Sequence, residues 1–474
     1  MADPAAERRL VACVDFGSTF TKAALVDVGA GELVATAEHR TTVDTDVLDG
    51  WDACRAALVL AHRGAADAKV LACSSAGGGL RVAVVGNEQL VTAEAGRRVA
   101  LSSGGHVVHV VGGRLAGADL DALRAGEPDV VLLVGGTDGG NAEVLVSCAA
   151  AMARARWRGP VVVAGNLDAQ PQVAALLGDA RTPYVLADNV VPRIGVLSPD
   201  SARAAIRQVF LRHVIGGKHL SRRADFTAMV RGATPDVVLT AVELLARGAG
   251  PGQPGAGDVV VVDVGGATTD VHSVVEPDAS DTDVEEGLSR QVVAEVPVSR
   301  TVEGDLGMRW SAVPAVEEGV TGGLVEDSPR LRRAAVARRA DPAFLPSDDA
   351  SRHDEEQIAT AAVGTALRRH AGRRQVLYGP DGRVVEHTGK DLRETDLLVG
   401  SGGVLRHNGP DLAARVLGSV AGAAADGSWQ LPRAPRVVVD TDYVLAAAGL
   451  LAADHPRAAQ ALLGRLREAS GGHG

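Results

Sequence analysis

Short apolar runs alternate with amphipathic stretches along the first half of the chain. Apolar runs with the length and valine content of buried strands occur at Leu10–Val14, Ala23–Val26, Leu33–Ala37, Val70–Cys73, Val107–Val111, Val130–Val134 and Val161–Ala164. Stretches typical of helices lie at Trp51–His62, Thr92–Leu101, Asn141–Arg154 and Ala202–Ile215. Strands that alternate with helices predict an α/β domain with a buried sheet.

A cluster of glycine and proline, "RGAGPGQPGAGD" at Arg247–Asp258, interrupts this pattern, and a second α/β pattern begins at Val259. Such breakers favour a domain linker or a long surface loop. We therefore expect three parts. Residues 1–200 form a first domain, residues 201–257 form a helical connection that ends in the linker or loop, and residues 258–474 form a second domain.

Two segments occur twice in the same order. "VDFGSTFTKAALV" (Val14–Val26) resembles "VDVGGATTDVHSV" (Val262–Val274), since each has a strand, an aspartate, a glycine-centred turn with hydroxyls, and a second strand. "LLVGGTDGG" (Leu132–Gly140) resembles "LLVGSGG" (Leu397–Gly403). This repetition predicts a duplicated domain.

The bulk composition excludes some classes of partner. The chain has 474 residues, 46% hydrophobic and 23% charged, as in soluble globular proteins. Its formal charge of −11 argues against nucleic acid as a partner, since a phosphate backbone needs a basic surface. No apolar run approaches the roughly 20 residues of a membrane span, and the N-terminal stretch lacks a signal-peptide core. We expect a cytoplasmic protein with no membrane partner.

The duplicated turns have the chemistry of a nucleotide site. Glycine lets backbone N–H groups approach phosphates closely, and hydroxyls add further donors. Mg²⁺ takes one or two carboxylates and keeps several waters. Asp15 and Asp263 end the strands before the turns, where they could reach metal-bound water; the structural alternative is that they cap the turns. One such turn is a weak signal, but two turns with a late "GSGG" favour a nucleotide clamp.

These motifs resemble the ATPase fold shared by actin, sugar kinases and the large heat-shock chaperones. The resemblance implies an α/β fold of duplicated actin-like (ribonuclease H-like) domains that face each other across a nucleotide cleft. It makes Val14–Lys22 the first phosphate motif, Val262–Asp270 the second and Leu398–Gly403 the adenosine motif. It implies ATP and Mg²⁺ as cofactors, with Asp15 and Asp263 as the catalytic and Mg²⁺-binding residues. The implied nucleotide-binding residues are Gly17, Ser18, Thr19, Lys22, Gly265, Gly266, Thr268, Thr269, Gly400, Ser401, Gly402 and Gly403. For Lys22, a role as the exposed end of a strand is an equal alternative.

Longer segments resemble a narrower family. "CSSAGGGLRVAVVG", "TAEAGRRVALSSGGHVVHVVGG", "VVLLVGGTDGGNAE", "TVEGDLGMRW" and "LLVGSGGVL" are similar to the accessory protein encoded beside adenosylcobalamin-dependent glutamate mutase. This is the glutamate mutase MutL family, which is unrelated to the mismatch-repair protein of the same name. The resemblance implies an ATP-driven reactivating chaperone whose partners are the subunits of the mutase.

Two parts of the expected machinery are harder to place. We find no strong match to the first connecting helix of the superfamily, which often carries a catalytic Glu or Gln. Asn189–Leu197 is the expected counterpart of a family segment, but its Arg193 is not an obvious base, and Asp138 and Glu143 are the candidates offered instead for the hydrolytic group. Glu303 and Asp305 belong to the "TVEGDLGMRW" signature, and helix capping is the alternative to a functional role.

Other functions remain as alternatives. A small-molecule kinase of the same fold would need a base and an acceptor pocket that the sequence does not show, and a nucleotide-gated scaffold would bind ATP without hydrolysing it. "GSTFTK" also resembles the activators of 2-hydroxyacyl-CoA dehydratases, but the scattered cysteines do not suit their bridging iron–sulfur cluster. "DVHSVV" (Asp270–Val275) lacks the glycine of the cobalamin motif D-x-H-x-x-G, so we do not expect the chain to bind cobalamin itself.

Overall fold

The computed structural model describes residues 9–87, 92–276, 296–379, 382–422 and 429–468. Contacts divide these residues into two compact units. The first unit runs to Val238 and includes Val296, and the second unit contains the other residues from Leu239 onward. No helix within these ranges is both long enough and apolar enough to cross a membrane.

Among the described residues, the first unit contains ten strands and eight α-helices, and a ninth helix begins there and continues into the second unit. In chain order its elements are β1 (Leu10–Phe16), β2 (Phe20–Asp27), β3 (Glu32–Arg40), α1 (Val47–Ala61), β4 (Lys69–Ser74), β5 (Leu80–Gly86), α2 (Thr92–Ser102), β6 (Gly105–Gly112), α3 (Gly117–Ala125), β7 (Val130–Leu133), α4 (Glu143–Arg154), β8 (Val161–Val163), α5 (Gln170–Asp179), β9 (Tyr184–Leu186), α6 (Asp200–Val209), α7 (Ile215–Gly217), α8 (Ala224–Met229), β10 (Val230–Ala233) and α9 (Thr234–Arg247). A π-helical turn, Phe210–Val214, joins α6 to α7.

Five of these strands form a mixed sheet in the order β10-β4-β1-β2-β3. Strand β2 runs antiparallel to β1 and β3, whereas β4 runs parallel to β1 and β10. Helix α1 begins where the Asp46 carboxylate accepts a hydrogen bond from the backbone of Leu48. The helix buries Trp51 and Leu58 in the same hydrophobic core as β1 and β2.

A second sheet of the first unit is inserted between β4 and β10. Its five strands are all parallel, in the order β6-β5-β7-β8-β9. Alternate residues of β7 enter two different hydrophobic clusters, so both faces of this sheet are covered. That explains why these strands read as continuous apolar runs. The strand order reverses between β5 and β7, as in doubly wound α/β folds.

The second unit repeats the mixed sheet. In chain order its elements are β11 (Gly248–Gly250), β12 (Gln253–Pro254), β13 (Val259–Val264), β14 (Thr269–Val274), β15 (Val298–Glu303), α10 (Ala312–Thr321), α11 (Pro329–Ala340), α12 (Asp349–His370), β16 (Arg373–Gly379), β17 (Gly382–Thr388), β18 (Leu397–Ser401), α13 (Gly403–His407), α14 (Pro410–Gly418), β19 (Arg436–Val439), α15 (Val444–Leu451) and α16 (Pro456–Glu468). The glycine and proline cluster after α9 forms the small hairpin β11–β12.

The main sheet of the second unit has the order β15-β14-β13-β18-β19. Strand β14 is antiparallel to its neighbours, and β13, β18 and β19 are parallel. This order and these directions match those of the first sheet, strand for strand. The predicted fold class, α/β with duplicated ribonuclease H-like domains, is therefore confirmed from the topology.

One of the two predicted repeats corresponds between the sheets, and the other does not. The β1–β2 hairpin contains Val14–Val26 and occupies the place of the β13–β14 hairpin, which contains Val262–Val274. "LLVGGTDGG", however, lies on and after β7 of the inserted sheet. The counterpart of β18 is β4, because each pairs in parallel with the first strand of its hairpin. The likeness of the two Leu-Leu-Val-Gly segments reflects two separate parallel strands, each with a glycine-rich turn.

Candidate functional site

The two hairpin turns have the same hydrogen bond. In the first turn the backbone N–H of Gly17 donates to the carbonyl of Phe20 at 3.1 Å, and in the second turn the N–H of Gly265 donates to Thr268 at 2.8 Å. Both glycines stand two residues after the strand-ending aspartate. A Cβ at position 17 would lie 2.6 Å from the Phe20 carbonyl oxygen. Glycine therefore permits the tight return of the chain.

Two backbone N–H groups in each turn lack an acceptor in the described structure and could bind an anion. In the first turn the N–H groups of Ser18 and Thr19 make no hydrogen bond within the described residues, and neither do those of Gly266 and Ala267 in the second. Successive backbone N–H groups in a turn form a concave surface suited to phosphate oxygens. Ser18 is exposed and the other three residues are half-buried, so ligands can reach these turns.

The Asp15 side chain is buried and accepts hydrogen bonds from neighbouring side chains. Its Oδ1 atom accepts a hydrogen bond of 2.5 Å from the hydroxyl of Thr234 and a weaker contact of 3.5 Å from the thiol of Cys73. Burial and the nearby Asp15 carboxylate raise the pKa of the Cys73 thiol well above its usual range, so the sulfur keeps its proton as a donor. The Thr234 hydroxyl and the Cys73 thiol contact the same oxygen, which favours one orientation of the carboxylate.

The rest of the first turn is tied down by a threonine. Thr41 donates its hydroxyl to the carbonyl of Gly17 at 2.7 Å, and its N–H donates to the carbonyl of Thr19 at 3.0 Å. Lys22 is directly opposite Asp15 in the β1–β2 pair and is half-buried. The structure thus brings Asp15, Gly17–Thr19 and Lys22 together at one end of the hairpin.

The second turn is covered by the "TVEGDLGMRW" signature. The backbone N–H groups of Met308 and Arg309 donate to the carbonyls of Gly265 and Gly266 at 3.0 and 2.7 Å. Thr269 is fully buried and donates its hydroxyl to the carbonyl of Leu306 at 3.0 Å. Thr269 therefore holds the signature segment in place, whereas half-buried Thr268 is the more accessible hydroxyl of this turn.

Glu303 and Asp305 of this signature bind one arginine. Arg369 on α12 donates to Glu303 at 2.8 Å and to both carboxylate oxygens of Asp305 at 2.8 and 3.0 Å. Its guanidinium holds the pKa of Asp305 below its usual value, whereas burial raises the pKa of Glu303. These acids fasten the signature segment to α12.

The predicted adenosine motif ends strand β18 beside the second turn. Ser401 is buried and pairs laterally with Asp263. Gly402 has a φ of +100°, and a Cβ there would lie 2.2 Å from the carbonyl oxygen of Val264. Only glycine suits that contact. Gly400 packs against Leu417, and Gly403 begins α13.

Sequence analysis missed a buried carboxylate in this part of the second unit. Asp440 follows β19 and accepts hydrogen bonds from the backbone N–H groups of Val444 and Leu445 at 2.7 and 3.1 Å, which caps α15. Burial raises the pKa of Asp440 to about 6, and the nearby Asp263 carboxylate also raises it. An acid at the end of a short strand inside an apolar stretch was the available signal.

The helix that connects the two units is α9, where the sequence showed no strong match to the connecting helix of the superfamily. Helix α9 starts directly after β10, in the sheet that contains Asp15, and crosses from the first unit into the second. Its first residue, Thr234, contacts Asp15, and Asp236 in its first turn binds Arg207 at 2.5 and 2.9 Å. Asn189–Leu197 follows β9, the last strand of the inserted sheet.

The alternative candidates for the hydrolytic group belong to the inserted sheet. Asp138 accepts hydrogen bonds from the side chain of Asn189 at 2.8 Å and from the backbone of Leu167 at 3.0 Å. Glu143 forms an exposed ion pair with Arg114. These contacts give Asp138 a structural role in the loop after β7 and Glu143 one at the start of α4.

The two turns contain the types of chemical group that bind Mg²⁺ and the phosphates of ATP. Both turns combine a strand-ending carboxylate with unbonded N–H groups and hydroxyls, as a magnesium–phosphate group requires. Within the described ranges no three His, Cys, Asp or Glu side chains cluster as a ready-made metal site. A magnesium ion would therefore depend on phosphate oxygens and water for most of its ligands.

Comparison with known proteins gives one strong relationship. A sequence model of a family described as "MutL protein" matches residues 11–466. The protein named "Protein MutL" of Clostridium tetanomorphum is 34% identical over 449 residues, which cover 94% of this chain and 96% of that protein.

Solved structures resemble the chain only weakly. A xylulose kinase from Bifidobacterium adolescentis has a TM-score of 0.31 at 11% identity, covering 97% of this chain and 94% of that one. The ethanolamine utilization protein EutJ from Carboxydothermus hydrogenoformans has a TM-score of 0.26 at 12% identity, covering 98% and 91%. Scores this low support no conclusion about function. The family model and the curated relative, in contrast, each span nearly the whole sequence, and the chain therefore belongs to the MutL protein family.

Proposed function

We propose that this protein binds ATP with Mg²⁺, hydrolyses it slowly, and uses it to reactivate an adenosylcobalamin-dependent glutamate mutase. The observation that carries the nucleotide part is the duplicated turn. Each copy has a strand-ending aspartate, the same glycine-to-carbonyl hydrogen bond and two N–H groups that make no bond within the described residues. A structural hairpin needs the hydrogen bond alone, whereas a phosphate site also needs the unbonded donors.

Each group then has a defined task. The N–H groups of Ser18, Thr19, Gly266 and Ala267 donate to phosphate oxygens, and Asp15 and Asp263 hold water on the metal ion. Thr234 and Cys73 fix the orientation of Asp15 through its Oδ1 atom. Mg-ATP itself supplies the phosphoryl group whose transfer to water changes the state of the protein.

Gly400–Gly403 serve as the adenosine segment in this proposal. Gly402 brings the chain close to Val264, next to the second turn, and the absence of side chains leaves a flat backbone surface. Lys22 shares the hairpin end with Asp15, and we assign it to phosphate charge. Membership of the MutL family supports the mutase as client, since the family motifs resemble a protein encoded beside that enzyme.

The test is ATP turnover by the purified protein with Mg²⁺, with and without a glutamate mutase inactivated by damaged cofactor. Asp15→Asn and Asp263→Asn should each reduce turnover at least tenfold, as the loss of a group that acts in the transition state does. Asp67→Asn is the matched control, because Asp67 is an exposed aspartate of the first unit outside the hairpin. It should leave turnover unchanged.

The outcomes separate the alternatives. Recovery of mutase activity that needs ATP and fails in Asp15→Asn supports the reactivating function. ATP binding without turnover would replace it with a nucleotide-gated scaffold. Turnover that rises only with a small hydroxyl acceptor would identify a kinase instead.

A further inference from the structure

A cavity lies at the amino-terminal edge of the inserted parallel sheet. Its volume is about 270 Å³, and its lining comes from the turns that precede β7 and β8. The lining residues are Arg124, Glu127, Pro128, Arg156, Trp157, Arg158 and Gly159. None of them belongs to the two hairpin turns, so this cavity is separate from the nucleotide residues proposed above.

The cavity is cationic in a chain whose formal charge is −11. Arg124 has the ordinary role of an arginine at a helix end, since it donates to Asp121 at 3.1 Å and to the carbonyl of Ala155 at 3.2 Å. Arg156 and Arg158 differ, because their guanidinium groups bind no acceptor among the described residues. Two such cations outweigh the one carboxylate of the lining, Glu127.

A buried donor adds an independent signal. Trp157 is only 7% exposed, and its indole Nε1–H has no acceptor within the described structure. This nitrogen lies beside Gly159, where a Cβ would come within 3.1 Å of it. Buried N–H groups nearly always find an oxygen, so a lining residue that carries one without an acceptor leaves a polar group to be satisfied.

The backbone shows that Arg156 is unusual at its position. It has a φ of +50°, in the left-handed region that favours glycine at the end of a helix. The same conformation occurs at Arg181, which follows α5 and does not line the cavity. Arg181 therefore offers a matched control for the same substitution.

We propose that this cavity binds a small phosphate, either inorganic phosphate or the phosphate group of a short monoester. Arg156 and Arg158 supply the charge, and Trp157 supplies one neutral donor. The planar guanidinium group matches two phosphate oxygens at once. The Glu127 carboxylate accepts a hydrogen bond from the hydroxyl of a singly protonated phosphate or of the monoester. The volume lies near the lower end of the range of about 300–1,000 Å³ usual for drug-sized ligands, which favours a small anion.

The test titrates the full-length protein with inorganic phosphate and with glycerol 3-phosphate, against sodium chloride at equal ionic strength, by calorimetry. Arg156→Gly should weaken binding about tenfold, as loss of a charge-assisted hydrogen bond does. It should not lower the melting temperature, because glycine relieves the left-handed backbone. Arg158→Ala should weaken binding by a similar factor, and Arg181→Gly should change it less than twofold.

Two further measurements locate the site. Binding should alter the tryptophan fluorescence of the protein, and Trp157→Phe should remove that change. Excess ADP should leave phosphate binding at this cavity intact. The proposal is wrong if phosphate shows no saturable binding, if Arg181→Gly weakens it as much as Arg156→Gly does, or if ADP abolishes it. Equal binding of acetate would replace phosphate by carboxylate as the ligand class.

Discussion

The Asp-x-Gly turn of the first unit is held partly by side chains, whereas the equivalent turn of the second unit is held by main chain. Thr41 supplies a hydroxyl and an N–H to the carbonyls of the first turn. In the second turn, Met308 and Arg309 supply only backbone N–H groups. The hydrogen bond that defines the turn is the same in both. Duplication has therefore preserved the turn and replaced its supports.

The two sheets also differ at the residue that follows their last strand in chain order, β10 in the first sheet and β19 in the second. In the first sheet it is Thr234, whose hydroxyl donates to the strand-ending Asp15. In the second sheet it is Asp440, whose pKa is raised to about 6 by burial, with the nearby Asp263 carboxylate adding to the effect. One unit thus places a hydroxyl donor beside its aspartate, and the other places a second acid there.

The largest effect on stability should come from adding a side chain to Gly402, which lies against Val264. Gly402→Ala should lower the free energy of unfolding of the second unit by at least about 3 kcal/mol, because the Cβ would lie 2.2 Å from a carbonyl oxygen at a φ of +100°. In the first unit the corresponding carbonyl, that of Phe16, accepts N–H groups from Ser75 and Ala76 instead. Urea-dependent hydrogen exchange, read peptide by peptide, would assign the loss to one unit.

The neighbouring glycine is the control for this experiment. A Cβ at Gly403 would meet nothing nearer than His407 at 4.0 Å, and Gly403 begins a helix. Gly403→Ala should therefore leave stability within about 1 kcal/mol of the wild type. An equal loss in both variants would mean that the close approach at Gly402 is not the cause.

The next effect concerns the hydroxyl that supports Asp15. Thr234→Val should cost about 1–3 kcal/mol in the first unit, since it removes the nearest donor to a buried carboxylate. ATP turnover should fall about tenfold if Asp15 must be oriented to act. Thr234→Ser keeps the hydroxyl and should restore both. Restored stability without restored turnover would limit Thr234 to a structural role.

The sequence predicted the strands and turns better than it predicted their neighbours. Every strand proposed for the first half of the chain exists, because short valine-rich runs have few other stable uses in an α/β protein. The repeated Asp-x-Gly motif also identified the β1–β2 and β13–β14 hairpins correctly as equivalent elements of the two sheets. Both features depend on residues that are close together in the sequence, so a single sequence is enough to predict them.

The missed features depend on contacts between distant residues. Thr234 meets Asp15 across 219 positions, and nothing around "GATPD" marks the partner. The inserted sheet was not separated from the first sheet, since its strands have the same composition and only pairing distinguishes them. Thr269 looked like a phosphate donor by its place in the motif, but the strand alternation that buries it also directs its hydroxyl to Leu306.

Asp440 should make the stability of the second unit depend on pH. Its pKa is raised by burial to about 6, above the unfolded value of 3.8, so its stabilising contribution is complete below about pH 4 and is lost as the pH rises through about 6. Asp440→Asn cannot ionise and should remove this loss, which is on the order of 1–3 kcal/mol. It should also weaken the cap of α15, because an amide cannot accept both N–H groups.

The measurement is the stability of the second unit between pH 4 and pH 8, for the wild type and for Asp440→Asn. The difference between the two proteins should change in favour of the variant as the pH rises. Asp442→Asn is a suitable control, since Asp442 is an exposed partner of Arg465. A difference that stays constant with pH would show that Asp440 has an ordinary pKa.

The smallest effect should come from the side-chain support of the first turn. Thr41→Val removes the hydroxyl that donates to Gly17 at 2.7 Å and should cost about 1 kcal/mol, since a half-exposed carbonyl can turn to water. Among the described residues, the carbonyls of the second turn have no equivalent side-chain donor, because the backbone N–H groups of Met308 and Arg309 hold them and only a proline substitution would remove such a donor. Thr36→Val, at an exposed position of β3, controls for the change of residue type. Hydrogen exchange of residues 17–22 should quicken in Thr41→Val alone, and exchange at residues 265–270 should not change in either variant. If both turns loosened together, the supports would be shared rather than separate.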